Sequence, residues 1–251
     1  MNSTASSSRI ALVTGARGGI GRELVARLRA SGHRVAAVGR EAALLADVPA
    51  DAYIAADTTT PEGAVAAMTA SREQLGDIPT LLAHCVGSTL ISPFHRNTPD
   101  QIREVLRVNL DSALYVLRAW VDAVRTAGQP GAAVLVSSVV ARIGVDNHEA
   151  IAAAKGGIEA LTRSLAASYA AAGLRINAVA PGMTDTPMTA GMLRVEAFRE
   201  GAGKQYPLGG VQTAGQVADV MAWLLSEAAA RITGQVIPVD GGFTSVRPLV
   251  K

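Results

Sequence analysis

Seven short, continuously apolar runs recur along the chain, and longer amphipathic stretches separate them. Strands that helices cover on both faces show this continuous pattern, whereas helices place apolar residues every three or four positions. The alternation predicts βαβ units with right-handed crossovers. The expected fold is therefore α/β: a Rossmann-type, doubly wound, seven-stranded parallel sheet with helices on both faces. The predicted strands are 9–14, 34–39, 52–56, 80–85, 132–138, 174–180 and 235–239, and the predicted helices are 19–31, 61–75, 99–127, 149–172 and 214–228.

Two segments depart from this alternation. The first residues, MNSTASSS, have neither the basic start nor the apolar centre of a signal peptide, and we interpret residues 1–8 as a disordered tail. Residues 183–213 are polar, contain glycine and are long for a connection, which predicts a mobile lid. Since 49% of the 251 residues are hydrophobic, the stretch 9–251 can bury a large core, and we expect it to form a single domain.

Charge and cysteine content exclude several classes of function. The net charge is +2 and the arginines are scattered, so the basic clusters typical of nucleic-acid or anionic-membrane binding are missing. No apolar run is long enough to span a bilayer. The single cysteine, Cys85, cannot form an internal disulfide or a cysteine-type metal cluster. We therefore expect a cytoplasmic protein without a metal, whose partner is a small molecule.

A glycine-rich turn joins the first predicted strand to the first predicted helix. It reads TGARGGIG over residues 14–21 and contains Gly15, Gly19 and Gly21. Glycines let the backbone approach a pyrophosphate closely, and a helix N-terminus stabilises its charge. Glycine turns after strands also occur for purely structural reasons. The position directly after the first strand favours a dinucleotide-binding loop.

The end of the second predicted strand bears on which dinucleotide is bound. This strand ends in Gly39 and Arg40, where an acidic residue would bind the ribose 2′-hydroxyl of NAD. Arg40, together with Arg17, is suited to pair with a 2′-phosphate instead. A solvated arginine at a strand end is the alternative. The missing carboxylate favours NADPH/NADP.

A lysine in an apolar helical stretch is the most unusual feature of the chain. Lys155 follows three alanines in the sequence HEAIAAAKGG, and Ile151 lies one helical turn before it on the same face. A buried ammonium group is unfavourable unless it has hydrogen-bond partners or a chemical task. The pair therefore marks a candidate site.

Taken together, the motifs resemble those of the short-chain dehydrogenases/reductases, from about residue 9 to residue 243. TGARGGIG is similar to the family's TGxxxGxG loop, PGMTDT to its PGxxxT segment and ITGQVIPVDGG to its closing strand. The resemblance implies an oxidoreductase that binds NADP(H). The cofactor-binding residues, with the two arginines included, would be Gly15, Arg17, Gly19, Ile20, Gly21, Arg40, Asp57, Thr58, Gly87, Lys155, Pro181, Gly182, Thr184 and Thr186.

The same resemblance implies three catalytic residues. Asn109 would hold a water beside the catalytic lysine, Ser138 would hydrogen-bond the substrate carbonyl, and Lys155 would hold the nicotinamide ribose. A homotetramer or homodimer is also implied, with the long predicted helices at 99–127 and 149–172 in the subunit contact.

Two positions depart from the family pattern. The family's NNAG is replaced by HCVG at residues 84–87, and we expect His84 to be a packed strand-end residue rather than an acid or base. The family's YxxxK is replaced by Ile151 and Lys155. No tyrosine occurs between Tyr115 and Tyr169. The spacings from Asn109 to Ser138 and from Ser138 to Ile151 match those of the family, so Ile151 occupies the position of the catalytic tyrosine.

Three interpretations follow from the missing tyrosine. In the first, the substrate carries its own acid, such as a phenol beside the ketone. In the second, Ser138, His148 or a water molecule donates the proton. In the third, the protein is a non-catalytic NADP-binding sensor or scaffold, although retention of Asn109, Ser138 and Lys155 argues against it.

A narrower resemblance favours the first interpretation. Ketoreductases of antibiotic biosynthesis that act on aromatic, angucyclinone-type polyketides include members without the tyrosine, and the chain is similar to them. The implied partner is a polycyclic ketone. Its expected contacts are Ser138, Ile151, Met188 and Met192, since flexible methionines of the lid suit a large flat ligand as well as they suit ordinary packing.

Overall fold

The computed structural model describes residues 8–247. The predicted tail therefore lies outside the described residues except for Ser8, and so do residues 248–251. Seven parallel strands form one sheet in the order β3-β2-β1-β4-β5-β6-β9, which confirms the predicted fold class. The strands are β1 (Ile10–Thr14), β2 (Arg34–Gly39), β3 (Ala52–Ala55), β4 (Leu81–His84), β5 (Gly131–Val136), β6 (Leu174–Pro181) and β9 (Val236–Val239).

Helices cover both faces of this sheet, and alternate strand residues divide between two apolar clusters. In β1, Leu12 joins the cluster on one face and Val13 joins the cluster on the other. The helices are α1 (Gly19–Ala30), α2 (Pro61–Leu75), α3 (Pro99–Leu106), α4 (Ser112–Thr126), α5 (Glu149–Tyr169), α6 (Ala190–Leu193), α7 (Glu196–Lys204) and α8 (Ala214–Leu225).

Local signals fix where several helices begin. The hydroxyls of Thr98 and Thr213 accept hydrogen bonds from the backbone N–H groups of Gln101 and Gln216, and each glutamine side chain bonds back to the threonine N–H. These reciprocal capping boxes satisfy N–H groups that a helix start leaves unpaired. The predicted starts at residues 99 and 214 are correct for this reason.

The predicted helix at 99–127 is wrong in one respect, because it is not continuous. A π-helical turn at Arg107–Asp111 separates α3 from α4. The Asn109 side-chain amide donates to the Val105 carbonyl at 2.9 Å, and the Ser112 hydroxyl donates to the Val108 carbonyl at 2.6 Å. Side chains that take carbonyls four residues back compete with the regular α-helical bonds. Such wide turns inside helices are frequent at functional sites.

Residues 183–213 carry secondary structure of their own. The segment contains α6, α7 and two short strands, β7 (Thr184–Asp185) and β8 (Gln212–Thr213), which pair in parallel. Its base is held by Tyr206, whose hydroxyl accepts the Met183 N–H at 2.6 Å. The segment therefore forms a layer beside the carboxyl end of β6, and its movement as a lid stays a prediction.

Candidate active site

The strand order reverses between β1 and β4, and the two strands end side by side, with Thr14 opposite His84. In doubly wound sheets, ligands bind at the carboxyl ends of the strands at such a point. Two cavities of about 470 and 260 Å³ open there. They share lining residues, among them Gly18, Cys85, Gly87 and Met188, and so adjoin one another.

The larger cavity begins at the glycine turn. Gly15 has φ +66°, and a Cβ there would lie 2.7 Å from the Cys85 carbonyl group, so this position requires glycine. Gly18 precedes α1 without a side-chain cap, and the first turn of α1 has no acidic residue. Its backbone N–H groups and the positive end of its dipole are therefore available to an anion.

Two arginines line this cavity without carboxylate partners. Neither Arg17 nor Arg40 forms an ion pair within 4.0 Å in the part of the chain that the structure describes, residues 8–247. By contrast, nearby Arg22 is paired with Asp47 and Arg107 with Glu104. Unpaired guanidinium groups beside a free helix N-terminus fit the phosphates of a dinucleotide, including one on the ribose.

Asp57 and Thr58 follow β3 and line the same cavity. The Asp57 carboxylate accepts hydrogen bonds from the Thr59 hydroxyl at 2.6 Å and from the Thr59 N–H at 3.0 Å. These bonds, led by the hydroxyl, lower the pKa of Asp57 below its usual value, with smaller effects from Arg107 and Arg40. The carboxylate is thus fixed in its charged form at the predicted position.

Lys155 lies in the second turn of α5 and lines the smaller cavity. It is 7% exposed, and its Nζ donates to the Val136 carbonyl at 2.8 Å. Burial lowers the pKa of Lys155 to about 8. The charged and neutral forms are therefore close in free energy near neutral pH.

Asn109 and Gly87 stand beside this lysine. A Cβ on Gly87 would lie 3.1 Å from Asn109 Oδ1 and 3.7 Å from Lys155 Nζ, so the three residues meet at one point. Asn109 is buried, its Oδ1 accepts the Ser88 N–H at 3.2 Å, and its Nδ2 donates to the Ser88 hydroxyl at 3.0 Å. Asn109, which lies in the π-helical turn, and Lys155 both line the smaller cavity.

Ser138 and Ile151 are the two predicted site residues that do not line either cavity. Ser138 is half-buried and its hydroxyl accepts the Val140 N–H at 3.4 Å. Its neighbour Ser137 lines the smaller cavity, but the Ser137 hydroxyl is directed to the Lys155 carbonyl and the Glu159 carboxylate, both at 3.3 Å.

Ile151 is 5% exposed and belongs to a small apolar cluster between α3 and α5. The buried members of this cluster are Val105, Ala150, Ile151 and Ala154, and Leu90, Leu106, Leu110 and Val140 pack against them. One helical turn of α5 thus separates a side chain in the cluster from the ammonium group in the cavity.

His84 occupies the end of β4 and is 2% exposed. The Ser112 hydroxyl already donates to Val108, so His84 Nε2–H donates to Ser112 Oγ at 2.9 Å, and Nδ1 accepts from the Thr14 hydroxyl at 2.8 Å. Burial, with a smaller contribution from Lys155, lowers the pKa of His84 to about 3. The prediction that His84 is a packed strand-end residue is confirmed, and its lack of an acid or base role stays a prediction.

His148 immediately precedes α5 and lines the smaller cavity. A carbonyl can only accept, so the ring Nδ1–H donates to the Asp146 carbonyl at 2.6 Å, and Nε2 has no hydrogen-bond partner among residues 8–247. The preceding residue, Asn147, has φ +61°, a left-handed conformation that turns the chain before the helix. The half-buried His148 ring, named above as an alternative proton donor, therefore reaches the cavity.

The remaining predicted residues lie where the segment after β6 covers the smaller cavity. Thr184 is buried, and its hydroxyl donates to the Gly182 carbonyl and accepts from the Gln212 side chain, both at 2.9 Å. Cavity-lining residues in this region are Gly19, Ile20, Gly21, Pro181, Gly182, Thr184, Thr186, Met188 and Met192.

Sequence reasoning missed a group on the wall of the larger cavity, Glu104 and Arg107. It also missed Glu159, a buried carboxylate that binds Arg142 at 3.0 Å and contacts Ser137. No motif marks them: Glu104 and Arg107 form an ordinary i,i+3 helical pair, and their place on the cavity wall, like the contact of Glu159 with Arg142, depends on elements distant in sequence. Within residues 8–247, no group of three histidine, cysteine or acidic side chains is placed to hold a metal, and no helix there is long and apolar enough to cross a membrane.

Comparison with known proteins identifies the family. The family model described as Enoyl-(Acyl carrier protein) reductase matches residues 15–244. The cis-4-hydroxycyclohexanecarboxylate dehydrogenase of Sinomonas cyclohexanicum is 35% identical over 246 residues, which cover 95% of this chain and 97% of that protein.

Solved structures agree with this match. An Agrobacterium tumefaciens dehydrogenase structure with bound NADP superposes with a TM-score of 0.87 at 26% identity, covering 98% of this chain and 100% of that one. The 3-ketoacyl-(acyl-carrier-protein) reductase of Brucella melitensis complexed with NADH gives a TM-score of 0.87 at 25% identity, with 96% and 100% covered. This chain belongs to the short-chain dehydrogenases/reductases, a family of oxidoreductases that act on hydroxyl and keto groups.

Proposed function

We propose that the protein is an NADPH-dependent ketoreductase that works without a tyrosine acid. The observation that carries this proposal is the placement of Lys155 and Ile151 on α5. The lysine lines a cavity that adjoins one with two unpaired arginines, and the isoleucine packs away from both cavities. The binding groups are thus present, whereas the usual proton donor is absent.

The nucleotide is held by groups along the larger cavity. The N-terminus of α1 binds the pyrophosphate, Arg17 and Arg40 bind a 2′-phosphate, and Asp57 binds the adenine. Lys155, Asn109 and the segment from Pro181 to Thr186 hold the nicotinamide end. When bound, the reduced nicotinamide supplies the hydride. Orientation of the two reactants by these residues contributes to the rate, by about 7–11 kcal/mol in favourable systems.

The substrate that fits best is a flat, apolar ketone with a phenol beside its carbonyl, as in aromatic polyketides of antibiotic biosynthesis. Ile91 and Met188 line the smaller cavity and are 43% and 54% exposed, so they form an apolar rim. A phenol hydrogen-bonded to the ketone polarises the C=O bond and donates its proton to the reduced oxygen. Such a substrate replaces a general acid, whose loss otherwise costs about 10² to 10⁴ in rate.

His148 is the alternative donor that a specific observation favours. Its Nε2 is free on the wall of the smaller cavity, and protonation would make it a donor. Ser138 is less suited because its hydroxyl is turned to Val140 and lies outside the cavity lining. A water held by Asn109 and Lys155 is the third possibility.

One experiment separates these donors. NADPH oxidation is followed by absorbance for a phenolic polycyclic ketone and its methyl ether, with the wild type and with His148→Gln. Substrate assistance predicts that methylation lowers kcat by about 100-fold or more in both proteins, and that His148→Gln changes kcat less than about fivefold with the phenol. A large loss in His148→Gln with both ketones would assign the proton to the histidine. Tight NADPH binding without oxidation across a panel of ketones would instead favour a sensor.

We also propose that the protein forms a homodimer or a homotetramer, with α4 and α5 in the subunit contact. A groove of about 590 Å³ lies between these helices and α2, and it is lined by Leu114, Tyr115, Arg118, Arg125, Leu161, Leu165 and Tyr169. Leu114 is 41% exposed there, which suits a covered face. Light scattering tests this assembly, and a monomer would contradict it.

The segment 183–213 closes over the smaller cavity as a lid.

A further inference from the structure

Glu104 and Arg107 form an ion pair on the wall of the larger cavity, which the end of β2 also lines. Arg107 lies in the π-helical turn, and its Nε and Nη2 donate to the two Glu104 oxygens at 2.7 and 2.8 Å. Its Nη1 donates to the hydroxyl of Thr59 in the loop after β3. The arginine thereby bridges two elements that border the cavity.

This pair is poorly placed to stabilise the fold. The side chains of Arg107 and Glu104 are 42% and 56% exposed, and exposed ion pairs contribute little to stability. Because Arg107 holds Glu104 through two parallel hydrogen bonds on the cavity wall, the pair is better placed to affect the affinity for a ligand bound in the cavity.

The electrostatic surroundings identify that effect. Arg40 has no carboxylate within 4.0 Å among residues 8–247, but it lines the larger cavity together with two carboxylates, Asp57 and Glu104, and makes a small contribution to lowering their pKa values. For Glu104 the largest cause is the hydrogen bond from Arg107. An unpaired Glu104 would compete for Arg40 and repel a dianionic phosphate bound to it.

We propose that Arg107 neutralises Glu104, and that this neutral pair strengthens the preference for a ribose 2′-phosphate at Arg40. The inference rests on the proposed NADPH dependence and adds a second, indirect determinant to Arg17 and Arg40. Arg107 acts here through Glu104, so it is a positioning and charge-balancing residue rather than a direct phosphate ligand.

A binding experiment without turnover tests this inference. Isothermal titration calorimetry measures the Kd of adenosine 2′,5′-bisphosphate and of AMP for the wild type, Arg107→Ala, Glu104→Gln and the double variant. Arg107→Gln is a second variant that keeps a donor for Thr59. The matched control is Arg103→Ala, because Arg103 pairs with Asp100 on the same helix at 3.5 Å but does not line the cavity.

The expected pattern is specific to charge balance. Arg107→Ala and Arg107→Gln weaken the bisphosphate about tenfold and AMP less than about twofold, and Glu104→Gln restores bisphosphate binding in the double variant. The bisphosphate effect shrinks at high salt. Arg103→Ala changes neither ligand.

Three results would overturn the inference. If the double variant stays as weak as Arg107→Ala, the arginine binds the phosphate directly. If AMP weakens as much as the bisphosphate, the arginine supports the adenosine pocket and not the phosphate. If the wild type binds AMP but shows no preference for the bisphosphate, the NADPH assignment itself fails, and this inference fails with it.

Discussion

The glycine turn before α1 and the first two turns of α5 both line the smaller cavity, but backbone geometry shapes the site at the first and side chains shape it at the second. At the glycine turn, the backbone defines the site, because a Cβ at Gly15 would meet the Cys85 carbonyl and the N–H groups of α1 are uncapped. On α5, side chains define the site: Lys155 lines the smaller cavity, whereas Ile151, one turn earlier, packs in an apolar cluster. The glycine turn thus fits a bound dinucleotide, whereas the α5 side, under our proposal, works without the usual tyrosine acid.

The largest effect is expected at the backbone-defined side. Gly15→Ala forces a side chain into a left-handed conformation and against backbone atoms at 2.7 Å. We expect the free energy of unfolding to fall by about 2–5 kcal/mol and nucleotide binding to be lost. Thermal denaturation and calorimetry measure both effects.

Gly32→Ala is the matched control, since Gly32 has φ +84° but open space around it. It should cost about 1–2 kcal/mol and leave nucleotide binding intact. If Gly15→Ala and Gly32→Ala lowered the free energy of unfolding and nucleotide binding equally, the left-handed backbone conformation, and not the close approach of Gly15 to Cys85, would explain the effect at Gly15.

A second large effect is expected at Lys155. Lys155→Met removes the positive charge from the smaller cavity, and we expect kcat to fall about 10²- to 10³-fold. The folded-state pKa of this lysine is lowered from 10.5 to about 8, so the cation is lost as pH rises through about 8. Activity that depends on the cation should therefore decline above that pH.

Stability should respond in the opposite direction. Between about pH 8 and 10.5 the unfolded chain holds more protons at this lysine than the folded chain, so the free energy of unfolding rises with pH relative to Lys155→Met. Denaturant titrations of both proteins at pH 7 and pH 10 measure this difference. No change between the two pH values would show that the ammonium is not buried in solution.

The same contrast explains what could be predicted from the sequence. The apolar runs placed all seven strands to within about two residues because burial on both faces leaves a direct pattern. The glycine turn could also be predicted from the sequence, since only glycine satisfies its backbone geometry. These are local constraints, and a single sequence carries them.

Other features depend on contacts that a single sequence does not reveal. Arg107 and Thr59 are 48 residues apart, and no local pattern relates them. The π-helical turn depends on the capture of the Val105 carbonyl by Asn109. Whether Ser137 or Ser138 faces the cavity depends on how β5 ends, and the reach of His148 depends on the left-handed Asn147.

The smallest effect on rate is expected from restoring a tyrosine. Ile151 is 5% exposed among Val105, Ala154 and their neighbours, so Ile151→Tyr must place a ring in a packed cluster before its hydroxyl can reach the cavity. We expect kcat on the phenolic ketone to rise less than about tenfold and the free energy of unfolding to fall by about 1–3 kcal/mol. Ile151→Leu, which nearly conserves volume, is the control and should change both quantities little. A hundredfold gain in kcat with stability retained would mean that the site lacks its acid and that position 151 can still supply one. The proposed contrast between the nucleotide side and the proton side would then rest on one reversible substitution, not on a different source of the proton.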